Sequence, residues 1–190
     1  MTTDGKPKTS SRASTRREVI AGVWIGVGSL ALRGTNSLAS TTEEISHSAE
    51  SIHHEVTLRA ARQRVYTALT DPKQFQMVTL LGEAVKSGMV QAMKPAEISP
   101  QVGGLFALFG GHITGQIIEL VPNERIVQAW RPADWAPGIY SIAKFELVEN
   151  GPGTKIKFDH TGFPKGQAEH LAAGWKGNYW EPLQKLLSGT

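Results

Sequence analysis

The side chains that could do chemistry are few in this chain, and their spacing argues against the common catalytic centres. His53 and His54 are adjacent on a predicted strand and point to opposite faces, so they cannot chelate one metal ion. Asp159 and His160 are also neighbours on a strand, so they cannot form an acid–base pair with each other. The sequence has no Gly-x-Ser-x-Gly elbow, no phosphate-binding loop and no cysteine. We therefore expect no metal ion and no other cofactor.

A second group of residues is typical of an apolar pocket with a few polar groups. Gln128 lies two residues from Trp130 on one predicted strand, so their side chains share a face, and His160 shares a face with Phe158 on another strand. The candidate pocket wall comprises Gln128, Trp130, Phe145, Phe158, His160, Trp175 and Tyr179. Two alternatives stay open. The aromatic residues could be ordinary core, and His160 could be a hydrogen-bonded structural histidine.

Hydrophobic periodicity predicts the elements that must position these residues. Residues 51–60 alternate in polarity, which predicts a strand, and helices follow over 61–70 and 72–79 with Asp71 as the N-cap of the second. Residues 80–94 are ambiguous. Further strands are predicted over residues 96–99, 103–109, 112–121, 126–131, 139–149 and 154–161, with a hairpin at Gly110-Gly111.

The last predicted element is a helix over residues 165–187. Its apolar face is formed by Leu171, Trp175, Tyr179, Leu183 and Leu187, which recur every four residues. Pro182 should bend this helix, because it has no N–H to donate. Gly174 and Gly177 lie in the helix interior, where each costs roughly 1 kcal/mol relative to alanine. They indicate either close packing or room for a guest.

Strands that are gathered between helices at the two ends predict an α+β domain. Several motifs resemble one known family. They are GGLFALFGGHITG at 103–115, LVP at 120–122, IVQAWR at 126–131, WAPG at 135–138, HTGFP at 160–164 and Gly174-Trp175. Over about residues 52–187 the chain resembles the C-terminal domain of the activator of heat shock protein 90 ATPase. The resemblance implies a START-like, helix-grip fold, in which a curved antiparallel sheet of six to seven strands grips a long C-terminal helix and encloses a cavity.

The N-terminal residues look like an export signal. Arg16 and Arg17 precede an apolar run over residues 19–32, and Ser37 and Ala39 supply the small residues expected before cleavage after Ala39. This pattern resembles the twin-arginine signal, which directs folded proteins across the bacterial cytoplasmic membrane. We therefore expect the twin-arginine translocase as a partner and a periplasmic or otherwise exported location. One alternative is an uncleaved membrane anchor, although a membrane span needs about 20 apolar residues and this run is shorter. The other is a cytosolic tail that resembles a signal by chance.

Charge argues against a nucleic-acid partner. The chain has 20 Lys and Arg against 17 Asp and Glu. Residues 1–39 contain six of the basic residues and two of the acidic ones, so the remainder is nearly neutral and has no basic stripe. The predicted organisation is an export signal at 1–39, a linker at 40–50 and one domain at 51–188.

These observations predict a domain that binds a hydrophobic or amphipathic small molecule or lipid, with residues 80–94 and 132–138 as mouth and lid. A co-chaperone-like interaction module is the first alternative. Two expected departures from the family pattern argue against a chaperone partner. We expect no N-terminal docking domain like that of the eukaryotic activator, and we expect the export signal to direct the protein elsewhere. An enzyme of cyclase or dehydratase type is the second alternative, since some helix-grip proteins are such enzymes.

Overall fold

The computed structural model describes residues 50–89 and 94–188. The predicted export signal and residues 40–49 of the predicted linker lie outside the described residues. Within the described ranges, no helix is long and apolar enough to cross a membrane.

Seven strands form one antiparallel sheet in the order β1-β7-β6-β5-β4-β3-β2. In chain order the elements are β1 (Ser51–Leu58), α1 (Arg62–Thr70), α2 (Pro72–Leu81), α3 (Glu83–Lys86), β2 (Glu97–Ile98), β3 (Leu105–Leu108), a 3₁₀ turn (Phe109–Gly111), β4 (Ile113–Val121), β5 (Arg125–Pro132), β6 (Ser141–Asn150), β7 (Gly153–Thr161), α4 (Ala168–Trp175), a π-helical segment (Lys176–Trp180) and α5 (Glu181–Ser188). The predicted helix-grip arrangement is confirmed, and α3 is an addition within the ambiguous segment.

Alternation along the strands separates a buried face of the sheet from an exposed one. On β7 the side chains of Ile156, Phe158 and His160 are fully buried, whereas Lys157 between them is exposed. The inward residues pack against the helices and form one hydrophobic core. Gln128 and Trp130 share the buried face of β5, as predicted, because alternate residues of this strand are buried.

The opposite face of β6, β7 and β1 is charged. Asp159 accepts a hydrogen bond from His53 at 2.7 Å and forms an ion pair with Lys144 at 3.1 Å. Glu55 pairs with Lys155 at 2.9 Å. Such exposed pairs contribute little to stability. They keep this side of the three strands in contact with solvent.

The turn between β3 and β4 positions a buried aromatic ring. Gly110 and Gly111 have φ values of 71° and 93°, which glycine adopts without steric cost. Phe109 also has a positive φ of 51°, an uncommon conformation for a bulky residue. Its ring is buried and packs against Phe75 and Tyr179, with centroids 5.9 and 5.4 Å away. These aromatic contacts hold the turn in its strained form.

The C-terminal helix is interrupted by a π-helical segment where one continuous helix was predicted. The N–H of Glu181 donates to the carbonyl of Lys176, five residues earlier. Pro182 follows directly and has no N–H for the carbonyl four residues before it. The wider π turn accommodates this missing donor and shifts the register of the residues before the proline.

Glu50 joins the first strand to the start of α4. Its carboxylate accepts from the backbone N–H of Gly166 at 2.9 Å and from that of Ala168 at 3.3 Å. Free N–H groups at a helix start favour a negative charge. The carboxylate therefore caps α4 from a position 118 residues away in sequence, next to β1.

Candidate functional site

A cavity of about 330 Å³ lies where α4 and the π segment face the ends of β4 and β5. Its apolar wall includes Phe109, Ile113, Trp130, Trp135, Trp175 and Tyr179. This volume lies at the small end of the range for ligand pockets in proteins.

Polar residues surround the mouth of this cavity. His112, Asp134 and His170 line it and are exposed to solvent. Asn178 also lines it, but its amide is already engaged: it accepts from the N–H of Ala84 at 2.8 Å and donates to a helix carbonyl at 3.2 Å. The cavity thus has a polar entrance that is exposed to solvent and an apolar interior.

Two segments outside the sheet complete the mouth. Ala84 and Met89, in and just after α3, line one side, and Pro132, Asp134 and Trp135 line another. The first group falls within residues 80–94 and the second within residues 132–138, the two segments predicted to flank an opening. Their role as a movable lid stays a prediction.

The two helix glycines have different surroundings. A Cβ on Gly174 would meet nothing within 4 Å, and this residue lines the cavity. A Cβ on Gly177 would collide with the carboxylate of Glu83 and come within 3.3 Å of its Cβ. Gly177 therefore allows α3 to approach the π segment, whereas Gly174 leaves space open.

A hydrogen-bonded chain fixes two walls of the cavity. The indole N–H of Trp175 donates to Nδ1 of His160 at 2.9 Å. The proton of the neutral ring therefore lies on Nε2, which donates to the hydroxyl of Ser141 at 2.7 Å. That hydroxyl donates in turn to the backbone carbonyl of Trp130 at 2.9 Å. The chain connects the helix to β7, β6 and β5.

His160 acts as a structural residue in this chain. It is fully buried, and burial lowers the pKa of its ring to about 4. Because both ring nitrogens are hydrogen-bonded, neither is free to exchange a proton with a guest. The alternative that His160 is a structural histidine therefore has direct support, and the acid–base role needed by a cyclase or dehydratase has none at this residue.

Trp130 and Tyr179 carry buried polar groups that lack partners. Burial raises the pKa of the Tyr179 hydroxyl well above its usual range, and the indole N–H of Trp130 beside it opposes this rise only in part. Neither group meets hydrogen-bond geometry with any partner in the described part of the chain. Both side chains line the cavity. An unpaired buried polar group costs about 1 to 3 kcal/mol.

The aromatic residues behind Trp175 fill the remaining interior. The rings of Phe158 and Trp175 lie 4.4 Å apart, and those of Phe145 and Phe158 lie 5.0 Å apart. Trp180 stacks on Trp175 at 5.7 Å and donates its indole N–H to His54 at 2.8 Å. This part of the inner face is packed core.

The predicted pocket residues therefore separate into two groups. Trp130, Trp175 and Tyr179 line the cavity. Phe145, Phe158 and His160 lie in the packed core, and Gln128 is buried on the inner face outside the cavity wall. Sequence reasoning missed Phe109, Ile113 and Trp135, since two of them stand at a turn or in a loop where no periodicity marks an inner face.

A larger groove of about 960 Å³ lies at the β2–β5 end of the sheet. It is lined by residues such as Leu105, Gln116 and Tyr140, which are exposed. The groove is more open to solvent than the cavity, and among the described residues none of the buried polar groups without a partner lines it. We therefore place the candidate site in the smaller cavity.

The chain matches known proteins over the same region. A family model described as "Activator of Hsp90 ATPase homolog 1-like protein" matches residues 59–188. The "Activator of 90 kDa heat shock protein ATPase homolog 1" of Homo sapiens is 27% identical over 123 residues, which cover 64% of this chain and 35% of that protein. Homolog 2 of Mus musculus is 30% identical over 96 residues, 50% of this chain and 29% of that protein. The matches thus span about a third of these relatives.

A solved structure shares the fold. The crystal structure of an HSP90 activator from Plasmodium falciparum superimposes with a TM-score of 0.63 at 24% identity. The match covers 73% of this chain and 96% of that one. At this level of identity the comparison establishes the architecture of the sheet and the terminal helix.

Proposed function

We propose that this chain, which belongs to the family of activator of Hsp90 ATPase homolog 1-like proteins, binds a hydrophobic or amphipathic small molecule. The binding site is the 330 Å³ cavity. One observation carries the proposal. The inner face of the sheet is packed with aromatic rings, yet the helix leaves space at Gly174, where a side chain would meet nothing within 4 Å. A glycine in a helix interior lowers the stability of the helix. A binding cavity explains why a larger residue is not found at this position.

Burial of apolar surface would drive the binding. Each 100 Å² of guest surface removed from water contributes roughly 2.5 kcal/mol before the ordering costs of association. The rings of Trp130 and Trp175, with centroids 5.4 Å apart, supply much of the apolar contact. His112, Asp134 and His170 at the mouth leave the polar end of an amphipathic guest in contact with water.

A substitution that fills the cavity tests the proposal. We choose Gly174→Leu, with Ala173→Leu as a matched control on the exposed side of the same helix. The probe is N-phenyl-1-naphthylamine, followed by its fluorescence. We expect one probe molecule per chain in the wild type and the control, and at least tenfold weaker binding in Gly174→Leu. Equal binding by both variants, or no binding by the wild type, contradicts the proposal.

A second candidate is a protein-interaction module. The relatives are named as activators of a heat shock protein ATPase, and the outward face of β3, β4 and β6 carries exposed apolar side chains at Leu105, Ile118 and Ile142. Stimulation of a 90 kDa heat shock protein ATPase by the purified chain would support this function. We expect it to be lost on Leu105→Ser with Ile118→Ser and retained in Gly174→Leu. The opposite pattern would favour the cavity.

We also propose export through the twin-arginine route, on the sequence of the N-terminal residues. A reporter fused after Ala39 should reach the periplasm, and the double change Arg16→Lys with Arg17→Lys should leave it in the cytoplasm. A reporter that remains in the membrane fraction would indicate an uncleaved anchor. Export of the double variant would contradict the proposed route.

A further inference from the structure

We infer that the guest carries an uncharged hydrogen-bond acceptor at its buried end, and that Tyr179, supported by Trp130, donates to it. The chemical class is a flat apolar molecule with a carbonyl or ether oxygen. This inference rests on the proposed binding function and specifies which molecules the cavity favours.

Two buried hydrogen-bonding groups of the inner wall have no partner of their own. The hydroxyl of Tyr179 and the indole N–H of Trp130 have no partner that meets hydrogen-bond geometry in the described ranges. The indole N–H of Trp175 already donates to His160. The side-chain oxygen of Asn178 already accepts a hydrogen bond, and its NH₂ group already donates one. A guest oxygen is therefore the group that the wall lacks.

The hydroxyl of Tyr179 suits this role because it can accept and donate at once. The indole N–H of Trp130 lies beside the hydroxyl oxygen, although outside strict hydrogen-bond geometry. The oxygen therefore already faces a donor, whereas the hydroxyl proton has no acceptor in the described ranges. That proton rotates about the C–O bond to suit a partner. A guest oxygen would complete a chain from Trp130 through Tyr179 to the guest, and such chains strengthen each bond in them.

The charges of the lining disfavour an anionic group at the buried end. A buried anion needs a paired cation, and the charged or titratable side chains that line the cavity besides Tyr179 are His112, Asp134 and His170 at the exposed mouth. Asp134 would also repel an anion. An uncharged oxygen such as a ketone accepts the hydrogen bond without this desolvation cost.

The aromatic walls favour a flat guest. Trp130 and Trp135 meet edge to face, with an interplanar angle of 76° and centroids 5.9 Å apart. Trp175 and Tyr179 lie 4.2 Å apart on the helix side. Ring faces and edges in this arrangement match an aromatic guest, which gains from offset stacking and edge contacts in addition to area burial.

A matched pair of probes tests the inference. We choose 2-acetylnaphthalene and 2-ethylnaphthalene, which have nearly the same shape and differ in the carbonyl oxygen. Binding is measured by quenching of tryptophan fluorescence in the full chain. We expect the ketone to bind threefold to tenfold more tightly, the range for one hydrogen bond. Tyr179→Phe should abolish this preference, whereas the control Tyr66→Phe, in α1 away from the cavity, should preserve it.

The outcomes separate the inference from the proposed function. If neither probe binds the wild type, small-molecule binding itself fails. If both bind equally well to the wild type, binding stands and the acceptor inference is overturned. As a second measurement, the carbonyl stretching band of bound 2-acetylnaphthalene should move to lower wavenumber in the wild type and return in Tyr179→Phe. An unshifted band in the wild type also overturns the inference.

Discussion

The indole nitrogen of Trp175 lies 2.9 Å from Nδ1 of His160, and this hydrogen bond separates the cavity from the core. It fixes the indole ring, which is buried and lines the cavity. The same ring packs on that of Phe158, with centroids 4.4 Å apart. A rigid wall of this kind lets a small domain retain an internal space without collapse of the helix into it.

Acid should destabilise the domain through His160. Its pKa is lowered from the ordinary value of 6.5 to about 4 by burial, so between these values the unfolded chain binds a proton that the folded chain does not. The free energy of unfolding therefore falls as pH falls from about 6.5 to 4, by about 3 kcal/mol. Urea titrations across this range measure the change.

The control variants isolate the contribution of that residue. His160→Gln should lose most of the pH dependence, while His170→Gln, an exposed position, should retain it. The lowered pKa of His54 has the same sign, so a smaller pH dependence remains in His160→Gln. Identical slopes in wild type and His160→Gln would show that the buried histidine is not the titrating group.

The two helix glycines should respond differently to alanine. Gly174→Ala should raise the free energy of unfolding by about 1 kcal/mol, because the new methyl group meets no neighbour within 4 Å. Gly177→Ala should gain less or lose stability, because Glu83 must move aside. Thermal unfolding of the two variants measures the difference, and equal gains would contradict the described packing.

Loss of the carboxylate at residue 50 should weaken the attachment of α4. In Glu50→Gln the contacts to the N–H groups of Gly166 and Ala168 lose their charge, and we expect a loss of about 1 kcal/mol. Glu97→Gln, on the exposed short strand β2, is the control and should be neutral. Added salt should reduce the difference between them, since charge interactions at the surface are screened. A salt-independent loss would indicate another cause.

Much of the fold is predictable from the sequence, because periodicity indicates which side of an element is buried. The alternation in β5 and β7 places Gln128, Trp130, Phe158 and His160 on the inner face, and the four-residue spacing places Trp175 and Tyr179 on the apolar side of the last helix. The sheet and its helix follow from these patterns.

The division of the inner face into packed core and cavity is not predictable in this way. Phe158 and Trp130 have the same pattern in sequence, yet Phe158 is enclosed by rings and Trp130 borders open space. That difference depends on which side chains of other elements lie opposite each residue, and the spacing of residues along one strand does not contain this information. The cap formed by Glu50 is likewise a contact between residues far apart in sequence.

The most direct test of the central claim is native mass spectrometry of the protein purified from its own host. We predict that the wild type carries one small molecule per chain, and that the Gly174→Leu variant, purified in the same way, does not. The released compound should be a flat, uncharged molecule with an oxygen acceptor. Wild-type chains that are repeatedly empty, together with an absence of binding to both naphthalene probes, would contradict the claim that the cavity is a binding site.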